Sequence, residues 1–321
     1  MQVRGLQEYW QRRTRHDPSP PDVARRERVL LDMLGLGLEQ TIAYLAAEAP
    51  AYQTFTAWII ATAGPPDPDR ILRYHAVIDG TPPPPATAAH LAHIEALPDA
   101  LGRDDLAHWD THGYVILRSA ITREEAGAAA GMLWEAVAAR PDDPATWYGP
   151  RNNGLMVQLF QHPALEPARG SPRVHKAFAQ LWGTADLWST TDRLSFSAPE
   201  TTRHAFCAPR LHWDVSLARP IPFATQGILY LSDTAEDQGA LELVPGFHCR
   251  IDAWLDGLGG ADPRQVDLSA DAVRIAANAG DLIIWRQDLP HGASPNRVAT
   301  PRLAQYVNMY SVDQTVHDEW L

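Results

Sequence analysis

Lysine is nearly absent from this 321-residue chain: Lys176 is the only one among 27 basic residues. We read the arginine bias as GC-rich coding, and hence as pointing to a bacterial source. Positive charge is scarce altogether, with 39 acidic residues and a formal net charge of -12. A general nucleic-acid or anionic-membrane binder needs a basic surface to neutralise phosphates, so neither partner is expected, and a small-molecule substrate fits better. Cys207 and Cys249 are too few for a disulfide framework and lie in no zinc or redox spacing. A reduced, cytoplasmic setting and two packed thiols are therefore expected. No apolar run reaches the roughly 18 residues of a membrane span, and the N-terminal MQVRGLQEYWQRRTRHD lacks the apolar core of a signal peptide. No internal repeat is evident.

What is present is an ordinary globular composition, 45% apolar with 11 Trp, and enough length for one large domain or two modest ones. Residues 1–100 carry apolar positions at helical spacing, among them Val29, Leu30, Met33, Leu34, Leu38, Ile42, Tyr44 and Leu45. Breaks at Gly64-Pro65-Pro66 and at Thr81 to Pro85 cut this region into short helices. It is expected to be a cap, a lid or a dimerisation element, with the oligomeric state open and a homodimer compatible.

From about residue 101 the texture changes. Asp104 to His112 reads as a helix and Gly113 to Arg118 as a strand, and Thr122 with Glu125 forms a capping box that opens a helix reaching about Ala139. Pro172 to Trp182 reads as another helix. Strands are expected at Leu187–Ser197, Gln226–Ser232, Ala240–Val244, Val273–Ala276, Asp281–Trp285 and Arg302–Ser311. Short strands joined by Gly- and Pro-containing turns favour a sandwich or barrel, so residues 101–321 are expected to be a mainly β core with flanking helices, of α+β class. In the last strand, period-two alternation puts Arg302, Ala304, Tyr306, Asn308 and Tyr310 on one face and Leu303, Gln305, Val307 and Met309 on the other.

The chemistry is concentrated in His212-Trp213-Asp214, His291 and Arg302. In extended chain residues i and i+2 share a side, so His212 and Asp214 can address one metal while Trp213 points away. Two neutral imidazoles and a carboxylate suit one face of an octahedral ferrous ion and leave adjacent positions for substrates and dioxygen. An isolated His-x-Asp is common in a chain with 13 His. It gains meaning from His291, which follows the strand Asp281–Trp285, and from Arg302 at the start of the next.

Five segments in order carry a family resemblance: His108-Trp-Asp-Thr-His-Gly-Tyr-Val-Ile-Leu117, Leu211-His-Trp-Asp214, Gly239-Ala-Leu-Glu-Leu-Val-Pro-Gly-Phe-His248, Gly280-Asp-Leu-Ile-Ile-Trp285, and Pro290-His-Gly-Ala-Ser-Pro-Asn296 with Arg302. Over residues 102–312 the chain resembles the phytanoyl-CoA dioxygenase (PhyH-like) family of Fe(II)- and 2-oxoglutarate-dependent oxygenases. The resemblance implies a double-stranded β-helix, a jelly-roll or cupin-like barrel, after the all-helical N-terminal region. It implies Fe(II) bound by His212, Asp214 and His291, with 2-oxoglutarate and O2 as co-substrates. The distal carboxylate of 2-oxoglutarate would meet Arg302, whose planar, permanently charged guanidinium matches it, and Gln226 would touch the same co-substrate. Related halogenases have a small residue in place of the carboxylate ligand, so Asp214 favours hydroxylation, with desaturation or ring closure open. Ala293 stands where the family often has Ser, with Ser294 following, so a hydroxyl contact to the co-substrate is lost or shifted.

Arg193, Arg203, Arg210 and Arg219 surround the metal segment, and Arg193 is the best substrate contact among them. Gln158 and Trp147 precede the barrel in a region that often lines the mouth in this family. Surface ion pairing competes for the arginines, and core packing for Gln158 and Trp147. His204 and His248 read as ordinary hydrogen-bonded histidines, and His108 with His112 as a helix end. Hydroxylation of an aliphatic carbon of a small metabolite, in secondary metabolism, is the expectation. A cupin-like metal enzyme without 2-oxoglutarate would have no need of Arg302. A catalytically silent ligand-binding barrel would have no chemical reason to keep all three ligands.

Overall fold

Two periodicities divide the chain in a computed structural model that describes every residue except 1–2, 152–154, 208–210, 316 and 318–319. Helical periodicity comes first, in α1 (Leu6–Thr14), α2 (Pro21–Met33), α3 (Leu38–Glu48), α4 (Tyr52–Ala63), α5 (Pro68–Asp79) and α6 (Pro85–Ala96). The Gly-Pro-Pro and poly-proline breaks fall between α4 and α5 and between α5 and α6, where proline cannot continue a helix but suits the first turn of the next. Next come α7 (Arg103–His112), β1 (Tyr114–Leu117), α8 (Arg123–Ala136), β2 (Met156–Val157), α9 (Glu166–Arg169) and α10 (Pro172–Trp182). Thr122 opens α8 with its Oγ accepting from Glu125 N at 3.1 Å, while the Glu125 carboxylate accepts from Thr122 N at 2.8 Å. The remaining elements are β3 (Trp188–Ser189), β4 (Leu194–Ser197), β5 (Thr225–Tyr230), β6 (Leu241–Leu243), α11 (Ile251–Gly257), β7 (Val273–Ile275), β8 (Leu282–Arg286), β9 (His291–Ala293), β10 (Arg302–Tyr306) and β11 (Met309–Tyr310).

The strands form antiparallel sheets: six strands in the order β1-β8-β5-β10-β4-β2, three in the order β7-β6-β9, and the ribbon β11-β3. Alternation buries both faces of the large sheet. Leu229, Leu282, Ile284 and Leu303 pack with Ala126, Ala129 and Leu133 of α8 and with Val174 and Phe178 of α10. Ile228, Tyr230, Ile283, Trp285 and Ala304 instead share a core with Leu241, Leu243 and Ile275 of the small sheet and with Trp213. The fold is thus a mixed helix and antiparallel-sheet architecture whose polar cavity lies beside the second of these cores.

Two expected long strands are each broken. Leu187–Ser197 is divided into β3 and β4, and Arg302–Ser311 into β10 and β11. At the breaks Val307 N donates to Gly227 O at 3.1 Å and Thr190 N to Asn308 O at 2.9 Å. These bonds turn the chain out of the large sheet into the ribbon. Gly227 permits the approach, since a Cβ there would lie 2.2 Å from Val307 O. β9 was not expected, because His-Gly-Ala carries little β propensity and is recruited by pairing with β6.

The ribbon is also where the N-terminal helices attach. Trp188 and Tyr310 are buried in one core with Leu6, Tyr9, Leu30, Leu31, Met33, Phe55 and Ile59. No single helix among the described residues is long and apolar enough to cross a membrane.

Candidate functional site

An isolated bridge between His212 and His291 builds the centre of the site, with His212 N donating to His291 O at 2.9 Å and His291 N to His212 O at 3.0 Å. This reciprocal pair carries the His-Trp-Asp segment along the edge of β9. One donor atom each from His212, Asp214 and His291 lies within 4.8 Å of the others, the one such cluster of three or more among the described residues. His212 Nε2 is 3.4 Å from Asp214 Oδ1, and His291 Nε2 is 3.4 Å from Asp214 Oδ2. The two adjacent imidazoles, helped by Gln226, hold the Asp214 carboxyl well below the usual carboxylate range against the opposing effect of burial.

The surroundings orient each donor. His291 Nδ1 faces Leu289 O at 3.1 Å; a proton held there leaves the Nε2 lone pair directed at the cluster. Trp213 is buried and its Nε1 donates to Asp288 O at 3.0 Å, anchoring the segment from the far side. Trp285 Nε1 donates to Gln226 Oε1 at 3.0 Å, and Gln226 Nε2 donates to Asp214 Oδ2 at 2.7 Å. Indole is a donor only, so it selects the amide oxygen and turns the amide NH2 toward the carboxylate. Both ends of Gln226 are therefore used within the chain. A hold on Asp214 is thereby added at a residue that also lines the cavity.

Arg302 is 2% exposed. Its Nε donates to Gly239 O at 3.0 Å, and its Nη1 is buried with no hydrogen-bond partner among the described residues. Gly239 makes that acceptor available by taking a left-handed conformation, φ 67°, in which a Cβ would lie 2.6 Å from Ser197 Oγ. The neighbouring Tyr230 hydroxyl is pushed up to about 12 by burial and stays neutral. A buried guanidinium with a spare N–H and no counter-ion among the described residues is a site for an anion.

The triad, Gln226 and Arg302 open on one cavity of about 510 Å³. Tyr306, Asn308 and Tyr310 continue along its wall from Arg302, as strand alternation leads one to expect, while Leu303, Val307 and Met309 face the opposite core. Arg28 of α2 also reaches the cavity, together with Asp192, Thr190 and Gln314. Nothing in the sequence around Arg28 signals this: its ion-pair partner Asp32 is only four residues on, but the other residues lining the cavity lie far along the chain.

The remaining candidates divide. Arg193 lines the cavity, but its guanidinium is paired with Glu39 of α3. Gln158 is exposed and Trp147 is buried against the helices, its Nε1 donating to Arg140 O at 2.7 Å, so neither lines the cavity. The loop beyond Pro141 turns Trp147 back into the core, and Leu155 and Met156 supply the wall instead. Arg219 is bonded to Asp256, Arg203 is exposed, and Arg210 lies outside the described residues. Ser294 Oγ donates to Ala240 O at 2.9 Å, while Ala293 faces the cavity, so the displaced hydroxyl serves the small sheet. His204 stacks on Tyr148, and His248 bonds Asp110 O. Cys207 and Cys249 are both exposed, contrary to the packed thiols expected, because each sits in a loop or short turn over the surface.

Comparisons with known proteins agree in kind. The sequence profile of the phytanoyl-CoA dioxygenase (PhyH) family matches residues 109–304. A phytanoyl-CoA dioxygenase-like protein of Dictyostelium discoideum is 21% identical over 257 residues, 63% of this chain and 73% of that protein. Among solved structures, the non-haem α-ketoglutarate-dependent carbocyclase SnoK from nogalamycin biosynthesis aligns with TM-score 0.48 and 19% identity over 70% of this chain and 87% of its own. EvdO2 from Micromonospora carbonacea var. aurantiaca, complexed with 2-oxoglutarate, aligns with TM-score 0.48 and 16% identity over 70% of this chain and 96% of its own.

Proposed function

The chain belongs to the phytanoyl-CoA dioxygenase family of Fe(II)- and 2-oxoglutarate-dependent oxygenases, and from that premise we propose that it hydroxylates an aliphatic carbon of a small, polar metabolite. The observation that carries this reading is the buried Nη1 of Arg302, which has no partner among the described residues, on a side chain lining the cavity that also holds His212, Asp214 and His291. Two nitrogen donors and one carboxylate oxygen fit ferrous iron. The spare guanidinium N–H fits the distal carboxylate of 2-oxoglutarate.

In this reading His212, Asp214 and His291 hold the metal, and Arg302 fixes the co-substrate. Iron with 2-oxoglutarate and O2 supplies the oxidation of an unactivated C–H bond, with release of succinate and CO2. The chain's own contribution is positioning. Leu289 O fixes the His291 tautomer, Gln226 holds the Asp214 carboxylate and is itself held by Trp285. Ile228, Leu241 and Trp285 wall the metal end with apolar surface, which keeps stray water from the reacting carbon. Thr190, Asp192, Asn308 and Gln314 line the same cavity with hydrogen-bonding groups, which supports a polar substrate. The presence of Asp214 supports hydroxylation over halogenation.

We read the two core sheets as a double-stranded β-helix spanning residues 101–321, and residues 1–100 as a cap, since α2 places Arg28 in the cavity wall. A cytoplasmic, bacterial enzyme of secondary metabolism fits the reduced cysteines, the arginine bias and the polar cavity. The test is anaerobic loading of the full chain with ferrous iron, followed by titration with 2-oxoglutarate and exposure to O2. Binding and slow succinate formation that disappear in His212→Ala are expected. Absence of 2-oxoglutarate binding to the wild type overturns the reading, and undiminished activity in Arg302→Ala selects a cupin-like enzyme that does not use 2-oxoglutarate.

A further inference from the structure

A second cavity, of about 970 Å³, lies between the N-terminal helices and the outside of the β3–β11 ribbon. Its walls come from α5, α6, α9, the start of α10 and the ribbon, and only Thr190 is shared with the catalytic cavity. The two cavities thus lie against the same short ribbon.

Three buried N–H donors in these walls have no hydrogen-bond partner among the described residues: Arg73 Nε, Arg169 Nε and Trp188 Nε1. Trp188 is 2% exposed and the Arg169 side chain 8%. Both terminal nitrogens of Arg169 and one of Arg73 are engaged. Arg73 Nη2 binds Asp186 Oδ1 at 2.6 Å and Leu187 O at 2.9 Å, with its guanidinium carbon 4.2 Å from the centre of the Trp188 ring. Arg169 binds Phe160 O at 2.7 Å, Asp192 O at 2.6 Å and Glu166 Oε1 at 3.1 Å. Each group is therefore held in place while one donor remains spare. That is the condition of Arg302 in the catalytic cavity, here found three times in one place.

The electrostatics have the same sign. Burial lowers the pKa of Arg73, Arg169 and His175 against the opposing pull of Asp186 on Arg73 and of Glu166 on Arg169, and Arg73 further disfavours protonation of His90 and His175. Glu166 and Asp186 each answer one arginine through its Nη atoms, Asp67 caps α5 at Asp69 N and Asp69 is exposed, so no carboxylate among the described residues meets the three spare donors. The first turn of α6 contains no acidic residue and no side-chain cap, and Ala86 and Thr87 of that turn line the same space.

We propose that this seam cavity binds a small metabolite through an oxyanion, a carboxylate or a phosphate, received by Arg73, Arg169 and the indole N–H of Trp188. The site is independent of the catalytic reading, since Arg73, Arg169 and Trp188 do not line the catalytic cavity. Because the ribbon bears on both cavities, an occupant here is placed to influence substrate binding through Thr190 and Tyr310.

The test is an ¹⁵N spectrum of the full chain titrated with inorganic phosphate or with acetate at constant ionic strength. The Trp188 indole resonance is assigned as the one missing from Trp188→Phe. A saturable shift of that resonance is expected, with the tighter of the two anions naming the class. It is expected to persist in Arg302→Ala and to weaken about tenfold in Arg169→Gln, a change of about 1.4 kcal/mol. Should Arg169→Gln fail to fold, calorimetry of the bound anion on Trp188→Phe serves in its place, with weaker binding expected. No saturable shift with either anion overturns the proposal. So does a shift lost in Arg302→Ala, or affinity unchanged in both seam variants.

Discussion

Two charged clusters border the catalytic cavity, and they differ in how far the chain satisfies them. At one end Asp32 is 1% exposed and fully engaged: Oδ1 accepts from Thr191 N at 2.8 Å, and Oδ2 accepts from Arg28 Nε at 2.9 Å and Tyr310 Oη at 2.8 Å. Burial works against the Arg28 charge, but Asp32 and its neighbours outweigh it and its pKa is raised. At the other end Arg302 keeps an N–H with no partner among the described residues, and the triad brings three donor groups within 4.8 Å of one another. Closed clusters hold a fold together; open ones hold a ligand. The cost of an unsatisfied buried group, about 1–3 kcal/mol, makes the second arrangement worth keeping only where something binds.

That contrast can be broken by experiment, and the largest effect is expected at the triad. His212→Ala should reduce succinate formation by at least about a hundredfold while leaving the urea midpoint of the metal-free protein nearly unchanged. A parallel collapse of stability would place the triad with the closed cluster. Asp32→Asn should behave oppositely, costing roughly 2–3 kcal/mol in denaturant unfolding because it removes the buried carboxylate that holds Thr191 N, Tyr310 Oη and the half-buried Arg28. Stability within 1 kcal/mol of wild type, measured to about that precision, would show that Asp32 does not hold the seam.

Arg302→Ala should weaken 2-oxoglutarate binding by about 2 kcal/mol, or roughly thirtyfold, with no loss of stability. Titration of the anaerobic complex reads the first and a melting curve the second. His175 offers a pH test of a closed group. Burial pushes its pKa down to about 4, and its Nε2 lies 2.8 Å from Ala185 O. The unfolded chain takes up a proton between about pH 6.5 and 4 that the folded chain refuses, so this contribution is complete above pH 6.5 and is lost as the pH falls. Over that window the fall should be on the order of 2 kcal/mol, and His175→Gln should flatten it. Gln226→Leu should have the smallest effect, about tenfold on turnover, because Asp214 keeps its imidazole neighbours when the amide is lost. An unaltered rate would remove Gln226 from the site.

Legibility in the sequence followed the range of the physics. The face Arg302, Tyr306, Asn308 and Tyr310 was readable because alternation is a property of neighbouring residues, and the structure puts all four on the cavity. The capping box at Thr122 was readable for the same reason. The breaks in the expected strands at residues 190–193 and 307–308 were not, since they follow from bonds between those two breaks and to Gly227. Trp147 and Gln158 had the residue types of a cavity mouth, but the loop that carries them packs one inward and leaves the other at the surface.

By itself, then, the sequence determined the donor types and their order: two imidazoles, a carboxylate and an arginine, on segments whose periodicity sets which side each faces. Tertiary structure alone decided which buried charges are answered within the chain. Asp32 meets Tyr310 across 278 positions, and Arg73 lies over Trp188 from a different element. The reason is that periodicity is local, whereas the satisfaction of a buried polar group depends on whichever distant atoms folding brings within about 3 Å.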